Sequence, residues 1–103
     1  MNDSDFIRLT DAAFARIQQG LENAGLDFEL PADGILEIEF DDDSKIVINR
    51  HSAAREIWVA ARSGGFHFRH DGAAWNDTRD GSELFAKLTS LIASQGGGAV
   101  SFA

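Results

Sequence analysis

Seventeen carboxylates, three histidines and no cysteine define the chemistry open to this 103-residue chain. Without cysteine there is no disulfide framework, thiolate zinc site, cysteine nucleophile or cysteine-ligated cluster. No G-x-G-x-x-G, Walker loop or G-x-S-x-G elbow occurs. His67 and His70 stand three apart on an expected strand or its end. That spacing sends them to opposite faces as solvent-facing sheet histidines rather than paired ligands. His51 is expected alone in a loop. Local spacing supports no Ser-His-Asp arrangement, although such triads can be assembled from distant positions. What remains is oxygen chemistry.

The carboxylates are unevenly placed. Residues 1–43 hold twelve of them against Arg8 and Arg16, a net −10, while residues 44–103 net +2. An acidic half repels a phosphate backbone, so nucleic-acid binding is disfavoured and cations or a basic protein are the natural counterparts. At 100° per residue Asp11 and Glu22 fall within about 20° of each other on a helix, opposite its apolar stripe. Asp3 lies at the edge of that face. Asp27, Glu29 and Asp33 follow in a polar stretch, then Glu37 and Glu39 on a strand and Asp41, Asp42 and Asp43 in its turn. If the first helix packs beside the first strand, these groups form one acidic ridge. Such a ridge suits hard cations, Fe³⁺, Ca²⁺ or Mn²⁺, and accommodates Fe²⁺ through carboxylate and water. With no histidine or cysteine nearby, affinity is expected to be weak. The same charge run also fits a solvated face that only maintains solubility. Trp58 is the second unusual residue: alternation places its indole on the open side of a sheet, where large aromatics mark protein contacts. The alternative is shielding by long neighbours such as Arg50 or Arg69.

The elements that must position these groups are readable from periodicity. Phe6, Leu9, Ala13, Ile17, Leu21 and Ala24 recur at spacings of three and four, predicting an amphipathic helix over 3–24 that Asn2 or Asp3 caps and Gly25 ends. Leu26 to Asp33 reads as a loop with the single proline, Pro31. From Gly34 the period becomes two: Leu36, Ile38 and Phe40 form a strand, then Lys45 to Arg50, Arg55 to Ala61, Phe66 to Arg69 and a short strand at Trp75. Asp80 and Glu83 resemble a capping box before a helix carrying Leu84, Phe85, Leu88, Leu91 and Ile92. Val100 and Phe102 are expected to fold back over the helices. Forty-four percent apolar residues, with eight Phe and two Trp, furnish one core. The expected fold is therefore a single domain over 1–103 of the α+β class. It is a two-layer sandwich with N- and C-terminal helices on one face of a five- to six-stranded antiparallel sheet. An acidic N-terminus without an apolar h-region, and no apolar run of ~20 residues, point to a cytoplasmic protein without a membrane span.

Several segments carry a resemblance. Met1-Asn2-Asp3-Ser4, Gly34-Ile35-Leu36-Glu37-Ile38-Glu39-Phe40 and Ser44-Lys45-Ile46-Val47-Ile48-Asn49-Arg50 open the series. Ile57-Trp58-Val59-Ala60, Gly64-Gly65-Phe66-His67-Phe68 and Trp75 before Arg79-Asp80-Gly81 complete it. In this order and spacing the chain resembles the bacterial frataxins, the CyaY group, from its first residue through its second helix. The resemblance implies the same sandwich and a non-enzymatic role in iron–sulfur cluster assembly, as iron donor, regulator of cysteine desulfurase, or both. It implies weak iron binding by carboxylates among Asp3, Asp11, Glu22, Asp27, Glu29, Glu37, Glu39 and Asp41, and no organic cofactor. It implies contacts to the desulfurase and the scaffold protein through Asp11, Glu22, Asn49 and Trp58, by a monomer able to oligomerise with iron. Ferroxidase or iron-storage activity, and a metal-independent interaction module, are the alternatives. The chain departs from its relatives at Gln18, Gln19 and Asn23, where carboxylates are common. Ile7 replaces a histidine of some relatives, Ala53 a familiar proline and Glu56 a common glutamine. The helical ridge is thinner than usual, which shifts weight toward Asp27, Glu29 and Asp41 to Asp43.

Overall fold

The computed structural model describes residues 1–102. The first helix, α1, spans Asp3–Ala24, and the strands are β1 (Phe28–Ala32), β2 (Ile35–Glu39), β3 (Lys45–His51), β4 (Glu56–Ala61), β5 (Gly64–His70) and β6 (Trp75–Asp77). Helix α2 (Leu84–Ser94) completes the order. The six strands form one antiparallel sheet in sequential order, a plain meander. Short connections make this the expected arrangement, because hairpin neighbours pair without a crossover.

Both helices cover one sheet face. Leu36, Ile38, Phe40, Ile46, Ile48, Ile57, Val59, Phe68 and Trp75 are buried from the sheet side. Phe6, Ala13, Phe14, Ile17 and Leu21 of α1 and Leu84, Phe85, Leu88, Leu91 and Ile92 of α2 meet them. Deleting any one of the fully enclosed Ile or Leu side chains costs about 2–5 kcal/mol. The stripe on α1 is wider than the heptad-like set in the sequence: Thr10, Phe14 and Gly20 are also buried, while Ala24, its last residue, is exposed. Asn2 caps α1 by accepting the Asp5 N–H at 2.8 Å, and Gly25 ends it in the left-handed region at φ 71°.

Three expectations need correction. The segment expected as a loop contains β1, whose pairing with β2 is irregular between Glu29 and Ala32, around Pro31. Proline is tolerated there because β1 is an edge strand whose outward N–H groups have no partner strand. The N-cap of α2 is Glu83, whose carboxylate accepts the Phe85 and Ala86 N–H groups at 2.9 and 3.1 Å, whereas Asp80 accepts from Ser82 in the turn before it. His51 is not in a loop: it is the last residue of β3. The tail does fold back. Val100 and Phe102 are buried, and Gly20 is the residue that admits Phe102, since a Cβ there would lie 2.5 Å from the Phe102 ring. Arg16 lies over the Phe85 ring and donates to the Phe102 carbonyl, closing this strap.

Candidate functional site: two acidic regions and an aromatic sheet face

The expected ridge is divided by arginines. Arg50 ends the inward-facing series Ile46, Ile48, Arg50 of β3, so its side chain reaches past the sheet to α1. It donates to the buried Thr10 Oγ1 at 2.6 Å, to Asp11, and to Asp33 at 3.4 Å. Arg55, with an uncommon left-handed φ of 54°, pairs with Asp3 at 2.7 Å and donates to the Met1 carbonyl, pinning the start of α1. Asp3, Asp11 and Asp33 therefore already have counter-ions. Nothing in the charge pattern near residues 1–43 announced these partners, which come from residues 50 and 55. The available signal was a cation at an inward register position of a strand.

The strand carboxylates face the other way. Leu36, Ile38 and Phe40 point toward the helices, so Glu37 and Glu39 alternate onto the helix-free face. Glu29, the register partner of Glu37, joins them there. Glu37 is held by Lys45 at 3.5 Å. The expected side-by-side pooling of α1 and β2 carboxylates is thus not the arrangement: the sheet separates the two sets.

The other end of the molecule differs. Glu22 sits in the last turn of α1, a turn with no basic residue, where the helix dipole is already negative. The chain passes from there to Asp27, whose carbonyl accepts the Glu39 N–H at 2.9 Å, which brings the Asp41–Asp43 turn to the same end. Among the described residues, Glu22, Asp27, Glu29, Glu39, Asp41 and Asp43 make no ion pair. Asp42 is the exception: the Ser44 hydroxyl and N–H, then Arg62 at 2.7 Å, hold its carboxyl below the usual range. Asp11 and Glu22 share a helix face as expected, yet they are about 16 Å apart along the axis at ~1.5 Å per residue, too far to share one ion. Among the described residues no three His, Asp or Glu side chains converge as a metal cage. The open end offers a concentrated negative field and water-accessible oxygens rather than a built chelate, which corresponds to weak, labile cation binding.

On the helix-free face Trp58 is half-buried, paired in register with Asn49 on β3 and His67 on β5. Arg50 turns away to the helix side, while Arg69 shares the Glu56 carboxylate with the indole N–H. The indole is stacked between His51, at 3.6 Å between centroids, and His67, at 4.4 Å, with all three rings nearly parallel. Below lies Glu56, buried although charged. It accepts the indole N–H of Trp58 at 2.9 Å and Arg69 Nη2 at 2.7 Å. The residue that replaces a common glutamine thus sets the indole's orientation, and sequence reasoning did not assign it that role. His70 lies on the opposite face, edge-on to Trp75, as the odd spacing from His67 predicts.

Residues 1–98 match the family model of the frataxin-like domain. The iron-sulfur cluster assembly protein CyaY of Dechloromonas aromatica is 60% identical over 102 residues, which span 97% of each chain. The protein of the same name from Janthinobacterium sp. is 45% identical and covers 94% of this chain and 92% of its own. Among solved structures, the frataxin from Psychromonas ingrahamii superposes with a TM-score of 0.93 at 31% identity, covering 100% of this chain and 99% of that one. The trimeric frataxin of Saccharomyces cerevisiae complexed with ferrous iron, at 24% identity and TM-score 0.73, covers 84% of this chain and shares the fold. No helix among the described residues is long and apolar enough to cross a membrane.

Proposed function

The chain belongs to the frataxin-like family of iron–sulfur cluster assembly proteins, and from that premise we propose that it acts without catalysis, as a weak iron carrier and as a regulator that docks on cysteine desulfurase. The observation that supports this reading is the unpaired set Glu22, Asp27, Asp41 and Asp43 at the dipole-negative end of α1. Iron is here a cargo. Carboxylate and water oxygens without soft ligands hold it loosely enough to pass on. The same field attracts a basic protein surface, and steering of that kind depends on total charge more than on any one contact. Trp58 and Asn49, on the opposite side of the sheet, serve the scaffold protein. The reading keeps the protein in the cytoplasm, beside these partners.

The test is binding to cysteine desulfurase, with and without iron, for the parent and the double variant Glu22→Lys/Asp27→Lys. The proposal predicts at least about tenfold weaker binding for the variant at low salt, and affinity that declines steadily as added sodium chloride shortens the Debye length below the ~8 Å of physiological ionic strength. Binding that ignores both salt and charge reversal contradicts it. A metal-independent interaction module is the second reading, favoured by the rigidly held Trp58. It is distinguished by loss of partner binding in Trp58→Ala with no effect of Glu22→Lys/Asp27→Lys. Ferroxidase activity is less favoured because the open carboxylates sit on separate elements without a histidine among them. Oxygen uptake with Fe²⁺ above the buffer control would restore it.

A further inference from the structure

Beside Trp58 the helix-free face carries a shallow socket of about 230 Å³, whose lining includes Val47, Asn49, Trp58, Ala60, Gly65 and His67, with Val59 and Phe66 completing it. Val47, Ala60 and Gly65 are successive register partners across β3, β4 and β5, so they form one straight row running across the strands. The row does not end there. Val47 is also the register partner of Glu37, and Glu37 of Glu29, so two carboxylates stand at its β1–β2 end. Glu37 is paired with the exposed Lys45 at 3.5 Å, a solvent-screened contact an incoming lysine can replace, and Glu29 has no ion pair among the described residues. At its β5 end the exposed Arg79 donates to the Gly65 carbonyl at 2.7 Å. Read across the strands, the face is acidic, then apolar, then basic. The socket floor is made of small residues, and a Cβ placed on Gly65 would meet nothing within 4 Å, so the depression is open to an incoming group. Its volume is right for one aliphatic side chain and too small for a cofactor.

We infer that this row is a docking track for an extended segment of a partner protein with a basic residue, an apolar residue and an acidic residue at alternate positions. The period follows from the geometry. In an extended chain residues two apart share a face and lie about 6.6 Å from each other, while neighbouring strands of the sheet lie ~4.8 Å apart. With the apolar side chain seated over β4, Glu37 is two strands away, roughly 10 Å, a gap the flexible stem of a lysine at i−2 covers. Gly65 and Arg79 are one strand away on the other side, within reach of a carboxylate at i+2. The indole of Trp58, clamped between two imidazoles and fixed by Glu56, is a preformed wall that loses little freedom when the segment binds. Charge at the two ends sets the direction of the segment, and the socket supplies most of the affinity. This inference deepens the assignment of the Trp58 face to an assembly partner and is independent of the iron and desulfurase reading.

The test uses the full protein and a synthetic peptide, acetyl-Lys-Ser-Leu-Ser-Glu-amide, titrated while amide and indole resonances are followed by NMR. Expected are saturable shifts at Val47, Ala60, Gly65, His67 and the Trp58 indole, with a Kd on the order of millimolar. Replacing the peptide leucine by serine should weaken binding about tenfold or more. Peptides with lysine at both ends or glutamate at both ends should bind about two- to fivefold less well. In the protein, Gly65→Leu fills the socket and should abolish the shifts. Ala60→Lys does the same from the neighbouring strand, and an unchanged spectrum of the helices verifies that each variant is folded. Equal binding of all four peptides, undiminished binding to folded Gly65→Leu, or no saturable shift at about 10 mM peptide overturns the assignment. So do shifts that depend on protein concentration alone, which would make a second copy of this chain the occupant. None of these outcomes bears on desulfurase binding at the acidic end.

Discussion

Replacing Arg50 with methionine separates the structural and electrostatic roles of the acidic helix. The Arg50 side chain is only 9% exposed, while its partners Asp11 and Asp33 are 64% and 97% exposed. Solvent screening therefore reduces each ion pair to about 0.2–0.5 kcal/mol. The hydrogen bond to the buried Thr10 hydroxyl contributes about 1 kcal/mol, and Thr10 still donates to the Ile7 carbonyl once Arg50 is gone. Methionine retains most of the buried stem, so no large cavity term is added. The sum is about 1.5–2 kcal/mol, a fall in Tm of roughly 6–16 °C for a domain of this size. Removing the guanidinium also frees Asp11 and Asp33 for an external cation. Urea denaturation measures the first effect. Thermal melting with divalent cations on the order of 1–10 mM measures the second, and the variant should gain more from the cation than the parent does. A variant that unfolds within about 0.5 kcal/mol of the parent, and gains no more from cations, refutes the account of Arg50 as the counter-ion that withdraws Asp11 from metal binding.

Two further outcomes follow from the same packing and charges. Gly20→Ala should destabilise the protein by about 1–3 kcal/mol, although alanine is the better helix former, because its Cβ would sit 2.5 Å from the Phe102 ring and 2.8 Å from the Ser101 carbonyl. The loss should shrink in a Phe102→Ala background, and urea midpoints of the four-member cycle measure the coupling. On acidification, Asp80 is held at about 2, against 3.8 ordinarily, by the Ser82 N–H and hydroxyl and then by Lys87. A depressed folded value gives stability that is full above about pH 4 and is lost as pH falls toward 2. Asp42 and Asp71 are shifted the same way. Melting temperature should fall between about pH 4 and 2 in the parent and fall less steeply in Asp80→Asn; parallel curves would contradict the assignment.

The fold was legible wherever one periodicity ruled. Leu36, Ile38 and Phe40 alternate with polar residues over a face buried on one side only, and the two helical stripes are uninterrupted. β1 was not legible, because four of its five residues are exposed and Pro31 reads as a breaker, so burial imposes no alternation at this edge. The cap of α2 was misplaced because Asp80 and Glu83 both suit the role, and only the turn geometry decides that Asp80 binds Ser82 instead. In the site, the identities of the carboxylates were legible but not their grouping. Which of them are free depends on Arg50, Arg55 and Arg62, and those pairings span 39, 52 and 20 residues of chain. Trp58 was correctly placed on the open face. Its two imidazole neighbours were hidden, because His51 is the register neighbour of Glu56, and that pairing is a property of the sheet.

Anaerobic titration of the protein with Fe²⁺, followed by paramagnetic broadening of amide resonances, tests the division of the carboxylates most directly. Broadening is expected to centre on Glu22, Asp27, Asp41 and Asp43, where no ion pair competes, and to spare Asp3 and Asp11 beside their arginines. Broadening centred on Asp3 and Asp11 or on the Trp58 face, or none at all, would contradict it.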